Sequence, residues 1–179
     1  MPVSTGPDRN YVLIVMGVSG VGKTTIAHSL AARLDAQFIE ADDYHSSENR
    51  KAMEQGIPLD DKMRLPWLLS LCSAAETARD CGHVVMACSA LKRQYRDLFR
   101  THIERVQLIY LHASREAIAR RIAERSGHFM PLSLLDTQIA ALEPPTSDES
   151  VITIDVSASR SEIENEVAES ARKILCLET

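Results

Sequence analysis

The sequence has few aromatic residues and no recognisable pattern among its cysteines and histidines. Aromatic residues make up 4% of the chain, so we expect a core built mainly from aliphatic side chains. The four cysteines, Cys72, Cys81, Cys88 and Cys176, show no CxxC spacing, and the six histidines show no HxxxH pair. Neither a zinc site nor a disulfide framework is indicated, and a reducing cytoplasm fits best.

Long hydrophobic runs are also absent. The longest uncharged apolar stretch near the start, residues 11–22, contains glycines and is too short to cross a bilayer. Residues 1–10 lack the apolar centre of a signal peptide. We therefore expect neither export by a visible signal nor a membrane partner.

Positive charge is not in excess either. The chain carries 25 acidic and 20 basic residues, a net charge of −5, which disfavours a general binder of nucleic acids. Residues 92–125 are the exception, because nine Lys or Arg residues stand against four acids there. Such charges are common on solvated helix faces, so this segment indicates an anion site only together with other signals.

Apolar runs alternate with helical patterns along the chain, which predicts a layered α/β fold with a five-stranded parallel sheet. The first run, residues 11–16, is apolar throughout and is expected to be the central strand. The 179 residues suit one domain over residues 10–179, preceded by a flexible tail at 1–9. The further predicted strands are 37–40, 83–88, 106–111 and 151–155, and the predicted helices are 24–34, 65–79, 91–100, 114–124, 132–142 and 161–175.

The strongest motif lies directly after the first strand. Residues 17–24 match GxxxxGK[ST] without a mismatch and precede a predicted helix, the context in which this motif binds a nucleotide triphosphate. Glycines let backbone N–H groups surround phosphate oxygens, and the helix N-terminus favours the anion. Lys23 is expected to reach the phosphates and Thr24 to ligate Mg²⁺. The predicted nucleotide-binding residues of the loop are Gly17, Val18, Ser19, Gly20, Val21, Gly22, Lys23, Thr24 and Thr25.

Two acids follow the second predicted strand. Glu40 and Asp42 stand where open α/β sheets bind ligands, so one carboxylate can orient Mg²⁺ through water while the other accepts a hydroxyl proton. The same residues are also compatible with an ordinary acidic loop or helix cap. An Asn-Lys-x-Asp motif for reading guanine does not occur, so the pattern favours a kinase over a guanine-specific switch.

Taken together, the motifs resemble gluconokinase of the small P-loop type over most of residues 11–145. The most specific segments are Arg64-Leu-Pro-Trp-Leu68 and Cys88-Ser-Ala-Leu-Lys92 followed by Tyr95-Arg-Asp97. The P-loop, residues 41–45 and 56–59, and Gln138 agree with the same family.

The resemblance implies a fold, a reaction and partners. The fold would be the three-layer P-loop kinase fold, similar to nucleoside-monophosphate kinases, with a mobile lid at about residues 121–137. The reaction would move the γ-phosphoryl group of ATP to the 6-hydroxyl of D-gluconate, with Mg²⁺ as cofactor. By the same resemblance, the protein would be a homodimer.

The resemblance also implies roles for single residues. Asp42 would orient and deprotonate the attacking hydroxyl, with Lys23, Arg121 and Arg125 completing the catalytic set. Glu40 would contact Mg²⁺ through water, and the two lid arginines would also bind the nucleotide. The expected gluconate ligands are Asp42, His45, Arg64, Lys92, Arg96 and His128.

Simpler interpretations stay open for most of these side chains. His45 is equally compatible with a hydrogen-bonding role in its loop, and the arginines and Lys92 with solvated helix surfaces. Trp67 is expected to pack in the core rather than to bind sugar, since it shares the apolar spacing of Leu65, Leu68 and Leu71.

The chain departs from the family pattern at four positions, Glu40, Ser46, Ala52 and Met63. Two alternative functions are retained. One is another small kinase of the shikimate or nucleotide type, and the other is a nucleotide-binding regulatory module without turnover.

Overall fold

The computed structural model describes residues 9–55, 57–124 and 132–176. Residues 1–8 of the predicted tail and residues 125–131 of the predicted lid therefore lie outside the described residues. In the described part, the strands are β1 (Val12–Met16), β2 (Gln37–Glu40), β3 (Val84–Ala87), β4 (Val106–His112) and β5 (Ile152–Asp155). They form a parallel sheet in the order β2-β3-β1-β4-β5, which confirms the predicted strands and the central position of β1.

Helices cover both faces of this sheet. Leu13 and Val15 of β1 pack with one set of helices, and Ile14 and Met16 pack with the other. This alternation produces the expected three layers. The helices are α1 (Lys23–Leu34), α2 (Ser47–Glu54), α3 (Asp61–Arg79), α4 (Arg93–His102), α5 (Arg115–Glu124), α6 (Leu132–Ala141) and α7 (Arg160–Cys176), of which α1, α5 and α7 share the first cluster and α3 and α4 the second.

The sequence did not predict α2. Ser46, one of the four departures from the family pattern, is its N-cap, because the Ser46 hydroxyl accepts a hydrogen bond from the backbone N–H of Asn49 at 3.1 Å. Ser is among the residues preferred at this position. The departure at 46 therefore has a local structural role at the start of α2.

Helix α3 begins at Asp61, four residues before the predicted start at Leu65. The Asp60 carboxylate accepts a hydrogen bond from the N–H of Met63 at 2.8 Å and caps the helix. Pro66 lies inside the helix rather than at its first turn, although proline is most common at that first turn. The earlier start brings Asp61 and Arg64 onto the helix itself.

The carboxyl ends of β1, β2 and β3 lie at one edge of the sheet, because these strands are parallel neighbours. A 3₁₀ turn, Ala41–Tyr44, follows β2, the P-loop follows β1, and residues 88–92 follow β3. Strands β2 and β3 lie on one side of β1, and strands β4 and β5 lie on the other. The strand order therefore reverses at β1, and open α/β sheets bind ligands at such a reversal.

Candidate active site

The P-loop joins β1 to α1 and adopts a conformation that requires glycine. Gly17, Gly20 and Gly22 have φ values of 142°, 84° and 105°, which other residues rarely adopt. A Cβ atom on Gly17 would also lie 2.5 Å from the carbonyl oxygen of Leu111. Helix α1 then begins at Lys23, so its N-terminus faces the loop and favours an anion there.

Thr24 and Glu40 lie side by side, as their predicted shared role requires. The Thr24 hydroxyl donates a hydrogen bond of 2.8 Å to Glu40 Oε2. Burial raises the pKa of Glu40, and the nearby Asp42 raises it further, while the Thr24 hydrogen bond and Lys23 act in the opposite direction. A desolvated carboxylate beside a hydroxyl gains stability when a cation approaches. Lys23 Nζ donates to the carbonyl of Val18 at 3.1 Å.

The turn after β2 presents Asp42 to solvent and buries His45. The Asp42 side chain is 83% exposed, and its Oδ1 lies 4.0 Å from His45 Nε2. His45 stacks on Trp67 with ring centroids 4.2 Å apart. Its Nδ1 is the one buried side-chain nitrogen or oxygen without a hydrogen-bond partner in the described residues. Burial lowers the pKa of His45, and Arg64 and Arg50 lower it further against the effect of Asp42, so the ring is neutral at pH 7.

Trp67 is a packing residue that also holds the turn. It is 6% exposed, and its indole N–H donates to the carbonyl of Ala41 at 2.8 Å. The packing interpretation made from the sequence agrees with this position. Through Ala41, the indole fixes the start of the turn that carries Asp42.

A cavity of about 310 Å³ lies at Trp67, and its lining residues do not include the predicted ligands Asp42 and His45. Arg64 and Lys92 both line it, as the sequence predicts for gluconate ligands, together with Trp67 and Tyr95. The Arg64 guanidinium donates from Nε to the carbonyl of Leu59 at 3.1 Å. Two cations at the wall of a small cavity can bind a carboxylate.

The sequence analysis assigned no role to Asp61, yet this carboxylate organises the cavity wall. It accepts hydrogen bonds from Lys92 Nζ at 2.8 and 3.0 Å, from Tyr95 Oη at 2.5 Å and from Gln94 Nε2 at 2.9 Å. These donors lower the pKa of Asp61 to about 2, and the hydrogen bond from Lys92 has the largest effect. The donors are 31 to 34 residues away along the chain, and no local spacing signals such a cluster.

Arg96 does not line this cavity, which corrects its predicted contact with gluconate. Its side chain is fully buried and forms an ion pair of 2.7 Å with Glu149. The spacing of Lys92 and Arg96 suggested one helix face, but α4 begins only at Arg93, so Lys92 is its N-cap. The two side chains therefore diverge, one toward the cavity and the other into the core.

A second cavity, of about 480 Å³, lies at the P-loop. Gly20 and Gly22 form one wall, and Arg121, Val156 and Arg160 lie across from them. The Arg121 guanidinium donates a hydrogen bond to the carbonyl of Val156. Sequence analysis identified Arg121 but not the residues around β5 and α7, because they lie far from the P-loop along the chain and match no motif.

Gln138 of α6 also touches the P-loop. Its side-chain oxygen accepts from the N–H of Ser19 at 2.6 Å, and its amide donates to the Ser19 hydroxyl at 2.9 Å. The family resemblance includes Gln138, but it assigned no role to this residue. The other two predicted residues near the lid, Arg125 and His128, lie outside the described residues.

Two features are absent from the described residues. Residues 9–55, 57–124 and 132–176 contain no group of three or more His, Cys, Asp or Glu side chains placed to hold a metal ion. In the same ranges no helix has both the length and the apolar character needed to cross a membrane.

Comparisons with known proteins agree with this geometry. Residues 12–145 match the family described as AAA domain. The chain is 46% identical over 176 residues to a probable gluconokinase of Xenopus tropicalis, covering 87% of this chain and 93% of the relative. It is 45% identical over 148 residues to the thermosensitive gluconokinase of Escherichia coli K12, covering 80% and 78%.

A solved structure shows the same arrangement of elements. The crystal structure of a gluconokinase from Sinorhizobium meliloti 1021 superposes with a TM-score of 0.84 at 38% identity, covering 93% of this chain and 94% of that one. The predicted P-loop kinase fold is thereby confirmed for the described residues.

Proposed function

The chain belongs to the gluconokinase family and carries an AAA domain at residues 12–145, and from this premise we propose that it transfers the γ-phosphoryl group of ATP to D-gluconate. The product is 6-phospho-D-gluconate. The observation that carries the proposal is the similarity to gluconokinases over nearly the whole chain, at 46% identity for the Xenopus tropicalis relative. The cavity at the P-loop provides room for a nucleotide, and the cavity at Arg64 and Lys92 provides room for an acceptor.

The two alternative functions are not favoured. A shikimate- or nucleotide-type kinase would share the fold, but relatives at 38–46% identity over most of the chain are named gluconokinases. Because these relatives are named as kinases, a regulatory module without turnover is not favoured either.

The nucleotide is assigned to the P-loop and the larger cavity. Backbone N–H groups of residues 17–25 and the N-terminus of α1 bind its phosphates, and Lys23 neutralises the β- and γ-phosphates. The larger cavity, with Arg121 and Arg160 at its wall, accepts the base. Arg125 and the predicted lid at 121–137 add charge to the phosphates and exclude water.

The residues near Thr24 fit Mg²⁺. Thr24 Oγ1 and Glu40 Oε2 are oxygen atoms 2.8 Å apart, and oxygen is the ligand atom that Mg²⁺ prefers. In such sites Mg²⁺ uses few protein ligands and keeps several waters. Thr24 would ligate the ion, and Glu40 would hold one of its waters. The ion supplies charge neutralisation for the phosphates.

The acceptor is assigned to the smaller cavity. Asp42 takes the proton of the 6-hydroxyl as this oxygen bonds to the γ-phosphorus and the bond to the ADP oxygen breaks. Because the transition state is loose, placing the hydroxyl contributes more than the basicity of Asp42. Neutral His45 forms a hydrogen bond with a gluconate hydroxyl, and Arg64 and Lys92 bind the carboxylate, with His128 as a further ligand.

Assembly and location remain predictions. By resemblance to the family we propose a homodimer that works in the cytoplasm on a small-molecule substrate without nucleic acid. We also propose that residues 10–179 form one kinase domain. Size-exclusion chromatography with light scattering measures the oligomeric state directly.

A coupled assay of ADP release tests the function. The substrates are gluconate, related sugar acids, shikimate and nucleoside monophosphates, each with Mg·ATP. We expect gluconate to give the highest kcat/KM, and the Lys23→Ala variant serves as the inactive control. A higher kcat/KM for shikimate or for a nucleotide, or ATP binding without any transfer, would contradict the proposal.

A further inference from the structure

Arg96 donates four hydrogen bonds while its side chain is fully buried. Two of its nitrogens, Nε and Nη2, donate to the two carboxylate oxygens of Glu149 at 2.7 and 2.8 Å. The Glu149 side chain is only 1% exposed, and its pKa is lowered to about 2, chiefly by Arg96. A bidentate pair of this kind fixes the plane of the guanidinium.

The remaining nitrogen of Arg96 holds the loop after β3. Nη1 donates to the carbonyls of Ala90 at 3.2 Å and Leu91 at 3.1 Å. Ala90 has a φ of 44°, a left-handed conformation that is unfavourable for a non-glycine residue. Such strained residues persist where the surrounding structure holds them, and the two bonds from Arg96 supply that restraint.

This loop connects the two halves of the site. Ser89, Ala90, Leu91 and Lys92 line the acceptor cavity. At the other end of the loop, the carbonyl of Ser89 accepts a hydrogen bond of 3.3 Å from the N–H of Gly17, the first residue of the P-loop. The position of the loop therefore decides where Lys92 stands relative to the phosphates.

We propose that Arg96 is a positioning residue for the acceptor site. Its guanidinium, oriented by Glu149, holds residues 89–92 in the strained conformation that places Lys92 and the cavity wall against the P-loop. This inference rests on the proposed function, because the acceptor is taken to be gluconate. Arg96 itself does not touch the substrate.

The first test is the double variant Arg96→Met with Glu149→Met, which removes the clamp without leaving a buried charge unpaired. We expect it to fold and the KM for gluconate to rise at least about tenfold, since small misplacements in a binding site carry large effects. We expect the KM for ATP to change by less than about threefold. Amide hydrogen exchange in a peptide covering 88–92 accelerates, while exchange in β4 does not change.

Arg100→Met is the matched control. Arg100 lies on the same helix and donates to the same Glu149, at 3.3 Å to Oε2 and 2.8 Å to the backbone carbonyl, but the described contacts do not connect it to residues 89–92. Its KM for gluconate is expected to stay within about twofold of wild type. If the double variant does not fold, Arg96→Lys replaces it, because lysine keeps the charge but lacks the three-nitrogen fork.

The outcomes separate this inference from the proposed function. Unchanged gluconate KM and unchanged exchange at 88–92 in a folded variant would show that Arg96 has no positioning role. Equal increases in both KM values, together with the same rise in the control, would show a purely structural role. If the wild type does not phosphorylate gluconate, the proposed function fails, yet the exchange comparison still tests the clamp.

Discussion

The proposed nucleotide and acceptor sides of the site are built in different ways. The proposed nucleotide side contains one contiguous segment, the P-loop, and three glycines with positive φ give that segment its shape. On the proposed acceptor side, single side chains from helix α3, the loop after β3 and helix α4 come together around a cavity. The first site is made mainly of backbone and the second mainly of side chains.

The pKa values of two carboxylates, one on each side, are shifted in opposite directions. Glu40, next to the P-loop, has a raised pKa because burial outweighs its hydrogen bond from Thr24. Glu149, behind the acceptor loop, has a pKa of about 2 because Arg96 pairs with it. Among the described residues, Glu40 lacks a paired cation, and a metal ion can supply that positive charge. Glu149 is neutralised within the protein by Arg96. The difference suggests a functional acid on one side and a structural acid on the other.

Removal of the P-loop charge is expected to have the largest effect. Lys23→Ala takes away the cation at the β- and γ-phosphates, so kcat should fall by at least about 10³-fold, the scale seen when one transition-state contact is lost. Thr24→Ala should behave similarly. The coupled ADP-release assay measures both, and wild-type turnover in either variant would overturn the nucleotide site.

Asp42→Asn should come next. We expect kcat to fall by about 10²-fold or more, the usual contribution of a general base, while ATP affinity stays within about threefold. Asp43→Asn, an exposed neighbour in the same turn, is the matched control and should retain activity. Loss of ATP affinity with kcat preserved would move Asp42 to the nucleotide side.

The acceptor should need a carboxylate, but the preference for gluconate over a neutral polyol should be moderate. Lys92 already contacts Asp61, so a neutral polyol does not leave this lysine unpaired, and Arg96 does not contribute. We expect kcat/KM for gluconate to exceed that for glucose or sorbitol by about 30-fold, the low end for a charged partner. Lys92→Ala should narrow this gap, and Lys62→Ala should not. Equal rates for acid and polyol in wild type would refute the assignment.

Acid should destabilise the protein through Glu149. Its pKa is depressed to about 2 in the folded state from 4.5, so its contribution is present above pH 4.5 and is lost as the pH falls toward 2. As the pH falls from 4.5 toward 2, the free energy of unfolding should therefore decrease in both proteins. The decrease should be about 1–2 kcal/mol smaller in the Glu149→Gln variant than in wild type. Urea unfolding at pH 7, 4.5 and 3 measures the difference, and parallel pH profiles would contradict the inferred pairing.

The smallest effect is expected at Glu40, with the opposite sign. Since its folded pKa is raised above 4.5, its contribution to stability is greatest below pH 4.5 and is lost as the pH rises through the folded value. Glu40→Gln should then stabilise the ligand-free protein at pH 7 by at most about 1 kcal/mol, while weakening the Mg²⁺ dependence of activity. A destabilised variant with unchanged Mg²⁺ dependence would indicate a structural role instead.

The elements that sequence reasoning found are those with local signals. The buried run of β1 and the adjoining P-loop were placed correctly because their pattern is contiguous and fits only one backbone arrangement. Helix α3 was predicted to begin at Leu65, but the cap at Asp60 begins it at Asp61. Helix α2 was not predicted, since its eight residues contain little apolar periodicity.

The acceptor site shows where sequence reasoning stops. Lys92 and Arg96 have the same charge and helical spacing, yet one reaches the cavity and the other pairs with Glu149 in the core. The partners that decide this are Asp61 and Glu149, 31 residues before Lys92 and 53 residues after Arg96 along the chain. No spacing rule connects residues so far apart.

By itself, the sequence determined the nucleotide loop, the parallel α/β sheet with β1 at its centre, and the family, because each depends on residues that are adjacent or follow a short period. Only the tertiary structure decided that Asp61 gathers Lys92 and Tyr95 at the cavity, that Arg96 holds the loop after β3, and that Arg160 faces the P-loop across the larger cavity. These outcomes depend on which helices pack against each other, and charged side chains take the partners that packing brings within hydrogen-bond distance.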